Sequence, residues 1–390
     1  MRFRFFACLL SISLCGLLAC SNNNSVVTTN GTGVLYIAAQ GDSSLTAYTV
    51  TLSNGALTVL GSAQSTGSAP FAIALSPALN ALFVDNTASR TISSYTINSD
   101  GSLTAGTGTA KTGIMPMGMA IDPAGKFLFV ANQGSSTVSV FSISSAALKE
   151  VAGSPFSTIP AGSTVATGPS AVVVSATGNF LYVSNTFTST VSAYSISSSG
   201  SLTALGGSPF AVGLSPSGMT LPPSGAFLYV ANTGTDNISA FNICDKVVIS
   251  CADVNNPNGN LTPVAGSPFS GGGSPVAIAV DPAFDFLYVL DSRSNQISSF
   301  AYGTGSGVLT PLSTTPTVST GQSPASFVVV SGTTGANVGN NITNPTDFLY
   351  VVNNQASTLS VFSLNTTTGE LTTLGMAATT AVNPTAVAAN

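Results

Sequence analysis

The 390-residue sequence contains no histidine. This absence excludes a Ser-His-Asp triad, a histidine general base and a histidine-containing zinc site. No lysine has a serine three residues before it, so the signature of a lysine-activated serine is also missing. We therefore expect neither a metal site nor a cofactor.

Charged residues are scarce, at 5% of the sequence against about 25% in an average soluble protein. Hydrophobic residues make up 44%, which is too many for a disordered chain. Without Arg2 and Arg4, which belong to the N-terminal segment, six basic and 13 acidic residues remain, a formal charge of −7. Because no basic cluster is present, we expect no nucleic-acid partner.

The first residues look like a targeting segment. Arg2 and Arg4 precede an apolar run that ends at Leu18 and is too short to span a bilayer comfortably. No later stretch reaches the roughly 18 apolar residues of a transmembrane helix. We predict that residues 1–19 are a signal peptide and that the protein is exported.

Residues 17–20, Leu-Leu-Ala-Cys, resemble a bacterial lipobox. The resemblance implies cleavage before Cys20 and lipidation of its thiol, whereas an ordinary signal peptide is the alternative. Residues 20–32, rich in Ser, Asn and Thr, would then be a tether to the membrane. The predicted location is the outer membrane and periplasm, or the cell surface.

Two cysteines remain in the rest of the chain, Cys244 and Cys251. Their short separation and the oxidising compartment predict a local disulfide, with two free thiols as the alternative.

A short sequence motif recurs seven times at intervals of 46–62 residues. It consists of an aromatic residue, a β-branched residue, and then a small residue and Asn or Asp. The seven copies are Leu35-Tyr36-Ile37, Leu82-Phe83-Val84-Asp85-Asn86, Leu128-Phe129-Val130-Ala131-Asn132, Leu181-Tyr182-Val183-Ser184-Asn185, Leu228-Tyr229-Val230-Ala231-Asn232, Leu287-Tyr288-Val289-Leu290-Asp291 and Leu349-Tyr350-Val351-Val352-Asn353. Repeats of this length are typical of stacked or radial architectures.

Each copy lies in a unit of four short strands separated by Gly- and Pro-containing turns. A Pro-led strand comes first, the aromatic strand second, and a third strand such as residues 191–196 does not alternate between apolar and polar residues. Such a strand is buried on both faces. The predicted fold is all-β, a seven-bladed β-propeller with four-stranded antiparallel blades.

The two ends of the repeat region complement each other. The mature chain begins within a second strand near Gly33, and it ends after a Pro-led first strand that starts at Pro384. We therefore predict one propeller domain over residues 33–390, in which the C-terminal strand closes the first blade and hides an open sheet edge. Insertions at 157–168, 244–258 and 332–346 lengthen three connections, and such insertions often carry specificity.

The Leu-Tyr-Val-Ala-Asn phrase, the Gly-x-Leu-Thr turn and strand, and the Pro-led strand resemble the YVTN-type repeats of the seven-bladed lactonase-like family. The resemblance extends from about residue 33 to residue 390 and implies the propeller fold. That family includes 6-phosphogluconolactonases, related cyclising enzymes and exported proteins of other roles. Its enzymes use histidine with arginine and glutamate, and no histidine is available here to match.

The few charged residues in the turns between second and third strands are the candidate ligand-binding residues. Propeller geometry places these turns on one rim of the ring. Two interpretations remain open: a polar ligand site on that rim, or turn residues that bond backbone amides, with Arg90 and Arg293 in local ion pairs. The candidates are Asp85, Arg90, Asp236, Asp291 and Arg293.

Residues repeated in most blades have a structural interpretation. We expect Asn132, Asn185, Asn232 and Asn353 to hold turns, and the repeated tyrosines Tyr182, Tyr229 and Tyr288 to lie in the core.

Three functions follow from these observations. The first is a monomeric, non-catalytic binding module at the cell envelope, with a protein, carbohydrate or other small-molecule partner. The second is a lactonase-type hydrolase that uses Asp85, Asp291, Arg90 and Arg293. The third is an adhesive role in a surface layer.

Overall fold

The structure is a computed structural model that describes residues 32–245, 258–281, 285–313, 316–331, 346–378 and 381–390. Its strands form seven antiparallel sheets. Blades 1 and 2 contain β1 (Thr32–Ala39), β2 (Ser44–Thr51), β3 (Ala56–Ser65), β4 (Pro70–Ser76), β5 (Ala81–Asn86), β6 (Thr91–Ile97) and β7 (Leu103–Lys111). Blades 3 and 4 contain β8 (Pro116–Ile121), β9 (Phe127–Asn132), β10 (Thr137–Ser144), β11 (Ala147–Glu150), β12 (Phe156–Ser157), β13 (Pro169–Val174), β14 (Phe180–Asn185), β15 (Thr190–Ile196), β16 (Leu202–Ala204) and β17 (Phe210–Ala211).

The remaining blades repeat this order. Blades 5 and 6 contain β18 (Pro216–Thr220), β19 (Phe227–Asn232), β20 (Asn237–Ile243), β21 (Leu261–Pro263), β22 (Phe269–Ser270), β23 (Pro275–Val280), β24 (Phe286–Asp291), β25 (Gln296–Tyr302), β26 (Leu309–Pro311) and β27 (Thr317–Ser319). Blade 7 contains β28 (Pro324–Val330), β29 (Thr346–Asn353), β30 (Thr358–Asn365) and β31 (Leu371–Ala378), and β32 (Pro384–Ala389) returns to blade 1. Two 3₁₀ turns cover Pro77–Leu79 and Gln133–Ser135, and no helix among the described residues is long and apolar enough to cross a membrane.

The ring closes through the C-terminal strand. β32 pairs with β1 in antiparallel register, so that Tyr36 lies opposite Ala388. It also contacts the first strands of both neighbouring blades, β28 and β4. The seven-bladed, all-β prediction and the closure of the first blade by the last strand are both confirmed.

The core consists of apolar layers between neighbouring blades. The second strands β5, β9, β14 and β19 are buried along their whole length. One layer joins Tyr36 of blade 1 to Leu82 and Tyr95 of blade 2. A sheet covered on both faces has no wet side, which is why the third strands show no alternating pattern.

The fourth strand is divided into two short segments in blades 3 to 6. In blade 4, β16 and β17 are separate segments that pair with different parts of β15. The Gly-Ser-Pro segment between them contains a proline that lacks an amide proton for the ladder. The Ser208 hydroxyl accepts the Ala193 amide in the gap at 2.9 Å, so this third-strand donor stays bonded.

The two faces of the ring differ in which connections they carry. On one face the Pro-led first strands begin and the second strands turn into the third strands. This face also carries the connections between blades, and we call it the mouth face. The opposite face carries the first-to-second and third-to-fourth turns. The insertion at 157–168 therefore lies on the mouth face, whereas those at 244–258 and 332–346 extend opposite-face turns. Residues 246–257 and 332–345 lie outside the described part.

Candidate functional site

The structure brings three of the five candidate residues together. Asp236, in the second-to-third turn of blade 5, meets Arg293 in the equivalent turn of blade 6, and Asp291 precedes Arg293 by two residues. Asp85 and Arg90 lie away from them, in blade 2. The candidate site is therefore the junction of blades 5 and 6 on the mouth face.

Asp236 and Arg293 form an ion pair between blades, in place of the local pair that one of the two interpretations assigned to Arg293. The other carboxylate oxygen of Asp236, Oδ1, accepts the Ser274 amide at 2.8 Å. That amide, and then the Arg293 guanidinium, lower the pKa of Asp236. Both side chains are substantially exposed, so the pair contributes little to stability but fixes a cation at the rim.

Asp291 occupies a position where five other blades have asparagine. In those blades the asparagine side-chain amide donates to a serine hydroxyl seven residues further on, at 2.8–3.0 Å. This confirms the structural role predicted for Asn132, Asn185, Asn232 and Asn353. In blade 6 the donor is reversed, and Ser298 donates to Oδ2 of Asp291 at 2.6 Å.

A carboxyl in this position is poorly solvated. Asp291 is 1% exposed, and Gly272 lies so close that a Cβ atom there would be 2.2 Å from Oδ2. Oδ1 of Asp291 has no hydrogen-bond partner among the described residues. Burial raises the pKa of Asp291 to about 7, with the negative charge of Asp236 adding to the shift.

Asp85 is also buried, but it has no cation beside it. Its Oδ1 accepts the Ala72 amide at 2.6 Å, at the irregular start of the first strand. The Ser184 hydroxyl accepts the corresponding amide in blade 4, so Asp85 fixes the irregular start of the first strand in the same way. Burial raises the pKa of Asp85 to about 8. Arg90 lies in a left-handed turn with φ of 57°, and its guanidinium makes no ion pair within the described ranges.

The channel wall formed by the first strands is uncharged, a feature that the positions of the charged residues alone do not predict. None of the seven first strands contains Asp, Glu, Lys or Arg. The residue after each leading proline lies at the mouth end of its strand, and the repeated proline marks these positions in the sequence. They are Phe71, Met117, Ser170, Ser217, Val276, Ala325 and Thr385.

The repeated tyrosines lie in the core, as predicted, and their hydroxyls have a further role. Tyr182 is fully buried, and it donates to the carbonyl oxygen of Gly259 in the next blade at 2.8 Å. The same bond recurs from Tyr36 to Gly101, from Tyr229 to Gly307, from Tyr288 to Gly369 and from Tyr350 to Gly55. Blades 2 and 3 have Phe83 and Phe129 instead.

The sequence matches the model of the family described as lactonase, 7-bladed beta-propeller, over residues 10–112, 72–154 and 152–248. Together these matches cover more than half of the chain. The chain belongs to this lactonase family. A search of curated proteins finds no significant match.

Solved structures of other proteins share the fold of this lactonase-family propeller. A protein of Bacteroides fragilis, provisionally assigned as a 6-phosphogluconolactonase, is 16% identical, covers 94% of this chain and 100% of its own, and gives a TM-score of 0.74. The periplasmic gluconolactonase of Pseudomonas aeruginosa is 20% identical over 92% of this chain and 99% of its own, with a TM-score of 0.72. A protein of Lactobacillus plantarum is 18% identical over 92% and 99%, with a TM-score of 0.71.

Proposed function

We propose that this propeller is a lactonase-type hydrolase that acts on an uncharged lactone at the mouth face. The observation that carries the proposal, together with membership of the lactonase family, is the Asp236, Asp291 and Arg293 group. Among the described residues, this group combines a buried carboxyl with a near-neutral pKa, that of Asp291, with an adjacent ion pair between Asp236 and Arg293.

Lactone hydrolysis needs a base and a stabilised oxyanion. Water attacks the acyl carbon, the base takes the water proton, and the ring C–O bond breaks as the leaving oxygen is protonated. A carboxyl with a pKa of about 7 is a suitable general base near neutral pH, and Asp291 meets that requirement. Arg293 supplies positive charge for the oxyanion. Because Gly272 covers Asp291, the segment around Gly272 would control the access of water.

The neutral channel wall favours an uncharged substrate. A phosphorylated lactone needs lysine or arginine to bind its phosphate group, and the guanidinium at this site, that of Arg293, already pairs with Asp236. The first strands offer only hydroxyl and apolar side chains at the mouth, such as Ser170, Ser217 and Met117. Among the structural neighbours, the periplasmic gluconolactonase of Pseudomonas aeruginosa is the precedent that suits an exported chain.

The test is a pH-stat assay at pH 7.5 with glucono-δ-lactone and its 6-phosphate. We expect turnover of the neutral lactone and a preference for it over the phosphate. Asp291→Asn should lower the rate by at least 100-fold while the melting temperature is retained or raised. Asp100→Asn, an exposed carboxyl on the opposite face, is the control and should leave the rate unchanged. A rate in Asp291→Asn equal to the wild-type rate would remove Asp291 from the mechanism.

The second candidate function is a non-catalytic binding module. The observation that favours it is the asparagine-like position of Asp291, which accounts for its burial and its Ser298 bond without any catalytic role. This alternative predicts no lactone turnover above the spontaneous rate. It predicts instead a rise in melting temperature with an uncharged sugar or lactone, lost when Ser170 and Ser217 at the mouth are changed to leucine.

We also propose that the protein is exported and anchored through a lipid on Cys20, at the cell envelope. The lipobox-like sequence supports this, and residues 1–31 lie outside the described part. Cys20→Ser should move the protein from the membrane fraction to the soluble fraction. The predicted Cys244–Cys251 disulfide stays a prediction because Cys251 is not described; mass spectrometry before and after reduction and alkylation measures it directly.

A further inference from the structure

Large apolar side chains are exposed mainly on one face of the ring. Among the described residues, nine are more than a third exposed, and seven of these lie on the mouth face. The other two, Val59 and Leu374, lie on outer strands. The seven are Phe71, Ile114, Met115, Val165, Phe187, Leu214 and Val382.

Three of these side chains, Ile114, Leu214 and Val382, occupy equivalent positions in blades 3, 5 and 1, and each faces a glycine of the second-to-third turn. The connection that leads into each first strand hydrogen-bonds to the second-to-third turn of the same blade. In several blades one of the two bonded residues is large and apolar, and the other is small. In blade 3 the Gly134 amide donates to the Ile114 carbonyl oxygen at 2.9 Å, and in blade 5 Gly234 donates to Leu214 at 2.9 Å.

Blade 4 has the same arrangement with the sizes exchanged. The large residue is Phe187, which is 60% exposed and packs over Gly168. Blades 2 and 6 have no large apolar residue at the corresponding positions, where they place Ala88 and Arg293. The exposed apolar residues of blades 3, 4 and 5 therefore form a continuous arc. We call this set the apolar arc: Ile114, Met115, Val165, Phe187 and Leu214.

The charges of the two faces differ in sign. On the mouth face the exposed charges are Arg90, Lys111 and Arg293 against Asp42 and Asp236. Arg90 and Lys111 flank the arc at its blade 3 end, and Arg293 flanks it at its blade 5 end. The opposite face exposes Asp100 and Asp285, with Glu370 partly exposed, against Lys126, while four further acids there are buried: Asp122, Asp245, Asp281 and Asp347.

We propose that the apolar arc docks this propeller onto a lipid bilayer that contains anionic headgroups. The arc consists of separate side chains at turn tips, which can insert between headgroups without a shape-matched partner. The cations at both ends are attracted to anionic lipid, and the acidic opposite face is repelled from it. The charge distribution thus favours contact with the bilayer through the mouth face.

The proposed orientation leaves part of the mouth open. The arc covers three of the seven blades, so contact with a bilayer tilts the ring axis. Blades 7, 1 and 2 then face solvent on the far side of the mouth. This inference does not depend on the proposed hydrolase activity, because it rests on exposure and charge alone.

Hydrogen–deuterium exchange of the full chain with vesicles tests the proposal at the level of segments. All proteins carry Cys20→Ser, so that no acyl chain is attached. With vesicles of phosphatidylcholine and phosphatidylglycerol at 7:3, we expect protection of segments 112–116, 186–188 and 213–215, and none at 57–60. Pure phosphatidylcholine vesicles should protect these segments less.

Variants provide the matched control. Phe187→Ser with Leu214→Ser should weaken vesicle binding at least tenfold, while Val59→Ser with Leu374→Ser, which are about half exposed on outer strands, should leave it unchanged. Protection confined to the opposite face, or equal weakening by both pairs, would overturn the proposal. Concentration-dependent protection of the arc without vesicles would also overturn it, and would assign the arc to a contact between copies of the chain.

Discussion

The hydroxyl of Tyr350 in the last blade donates to the carbonyl oxygen of Gly55 in the first blade at 2.8 Å, across 295 residues of sequence. Gly55 has φ of +72°, and a Cβ atom there would lie 2.7 Å from the ring of Phe348. One aromatic strand therefore both packs against the neighbouring turn and hydrogen-bonds to it. Together with the pairing of β32 and β1, this contact closes the ring.

We expect Tyr350→Phe to lower the free energy of unfolding by about 1–2 kcal/mol. The change removes a buried hydrogen bond and leaves the Gly55 carbonyl oxygen without its donor. The packing of the ring itself is retained. Chemical denaturation followed by circular dichroism measures the loss.

Blade 3 offers the reciprocal change. Phe129 lies at the tyrosine position, and its ring centroid is 6.4 Å from that of Phe127, close to the 6.3 Å between Phe227 and Tyr229. Phe129→Tyr should therefore add the missing bond to Gly200 and leave stability unchanged or raised by up to about 1 kcal/mol. A loss as large as that of Tyr350→Phe would show that the hydroxyl does not decide the effect.

Gly307→Ala should destabilise the fold by roughly 2–4 kcal/mol. Gly307 has φ of +70°, and an added Cβ would approach Phe227 to 2.6 Å and Val264 to 3.0 Å, inside a packed layer between blades. Gly305, two residues earlier in the same turn, has open space around its Cα. Gly305→Ala should change stability by less than about 0.5 kcal/mol. Similar melting temperatures for the two variants would contradict the packing argument.

The raised pKa of Asp291 makes stability depend on pH. Its pKa is about 7 in the folded state and about 3.9 in an unfolded chain, so the folded state holds more protons between these values. Stability is therefore highest below pH 4 for this group, falls as pH rises to 7, and is constant above that. Asp291→Asn should remove this dependence and stabilise the protein above pH 7, since asparagine fits the same position in five other blades.

Asp85 also makes stability depend on pH, over a wider pH range than Asp291. Its folded pKa of about 8 predicts a loss of stability that continues from pH 4 to pH 8. Denaturation midpoints at half-unit pH steps should show a slope that ends near pH 7 in Asp85→Asn and near pH 8 in Asp291→Asn. A wild-type stability that rises between pH 5 and 8 would exclude both assignments.

The repeated phrases made the fold predictable from sequence, because each blade reuses the same turn and strand chemistry. Pro384 and the residues after it matched the first strands of other blades, and that match predicted the closure that β32 makes. The interrupted fourth strands were harder to foresee. Leu202 and Phe210 fall in separate segments, β16 and β17, and the break between them depends on where the Ser208 hydroxyl reaches.

The candidate site was only partly predictable for a related reason. Sequence proximity suggested that Arg293 pairs locally, near Asp291, but blade geometry places its charge against Asp236, 57 residues earlier. The position of Asp291 was visible as an exception to the repeated asparagine. The raised pKa of Asp291 was not predictable from the sequence, because it depends on Gly272 and on burial between strands that are distant in sequence.

Asp236 and Arg293 should shift the acidity of Asp291 in opposite directions. Asp236 adds negative charge near Asp291 and so raises its pKa. Asp236→Asn removes that charge and should move the Asp291 transition to lower pH. Arg293→Ala instead leaves Asp236 without its countercharge and should move the Asp291 transition to higher pH.

Both side chains are exposed, so neither change should alter the melting temperature at pH 5 by more than a few degrees. The measurement is the pH dependence of stability, or of the rate if the lactone is hydrolysed. Shifts of the same sign in the two variants would mean that the ion pair does not control the pKa of Asp291.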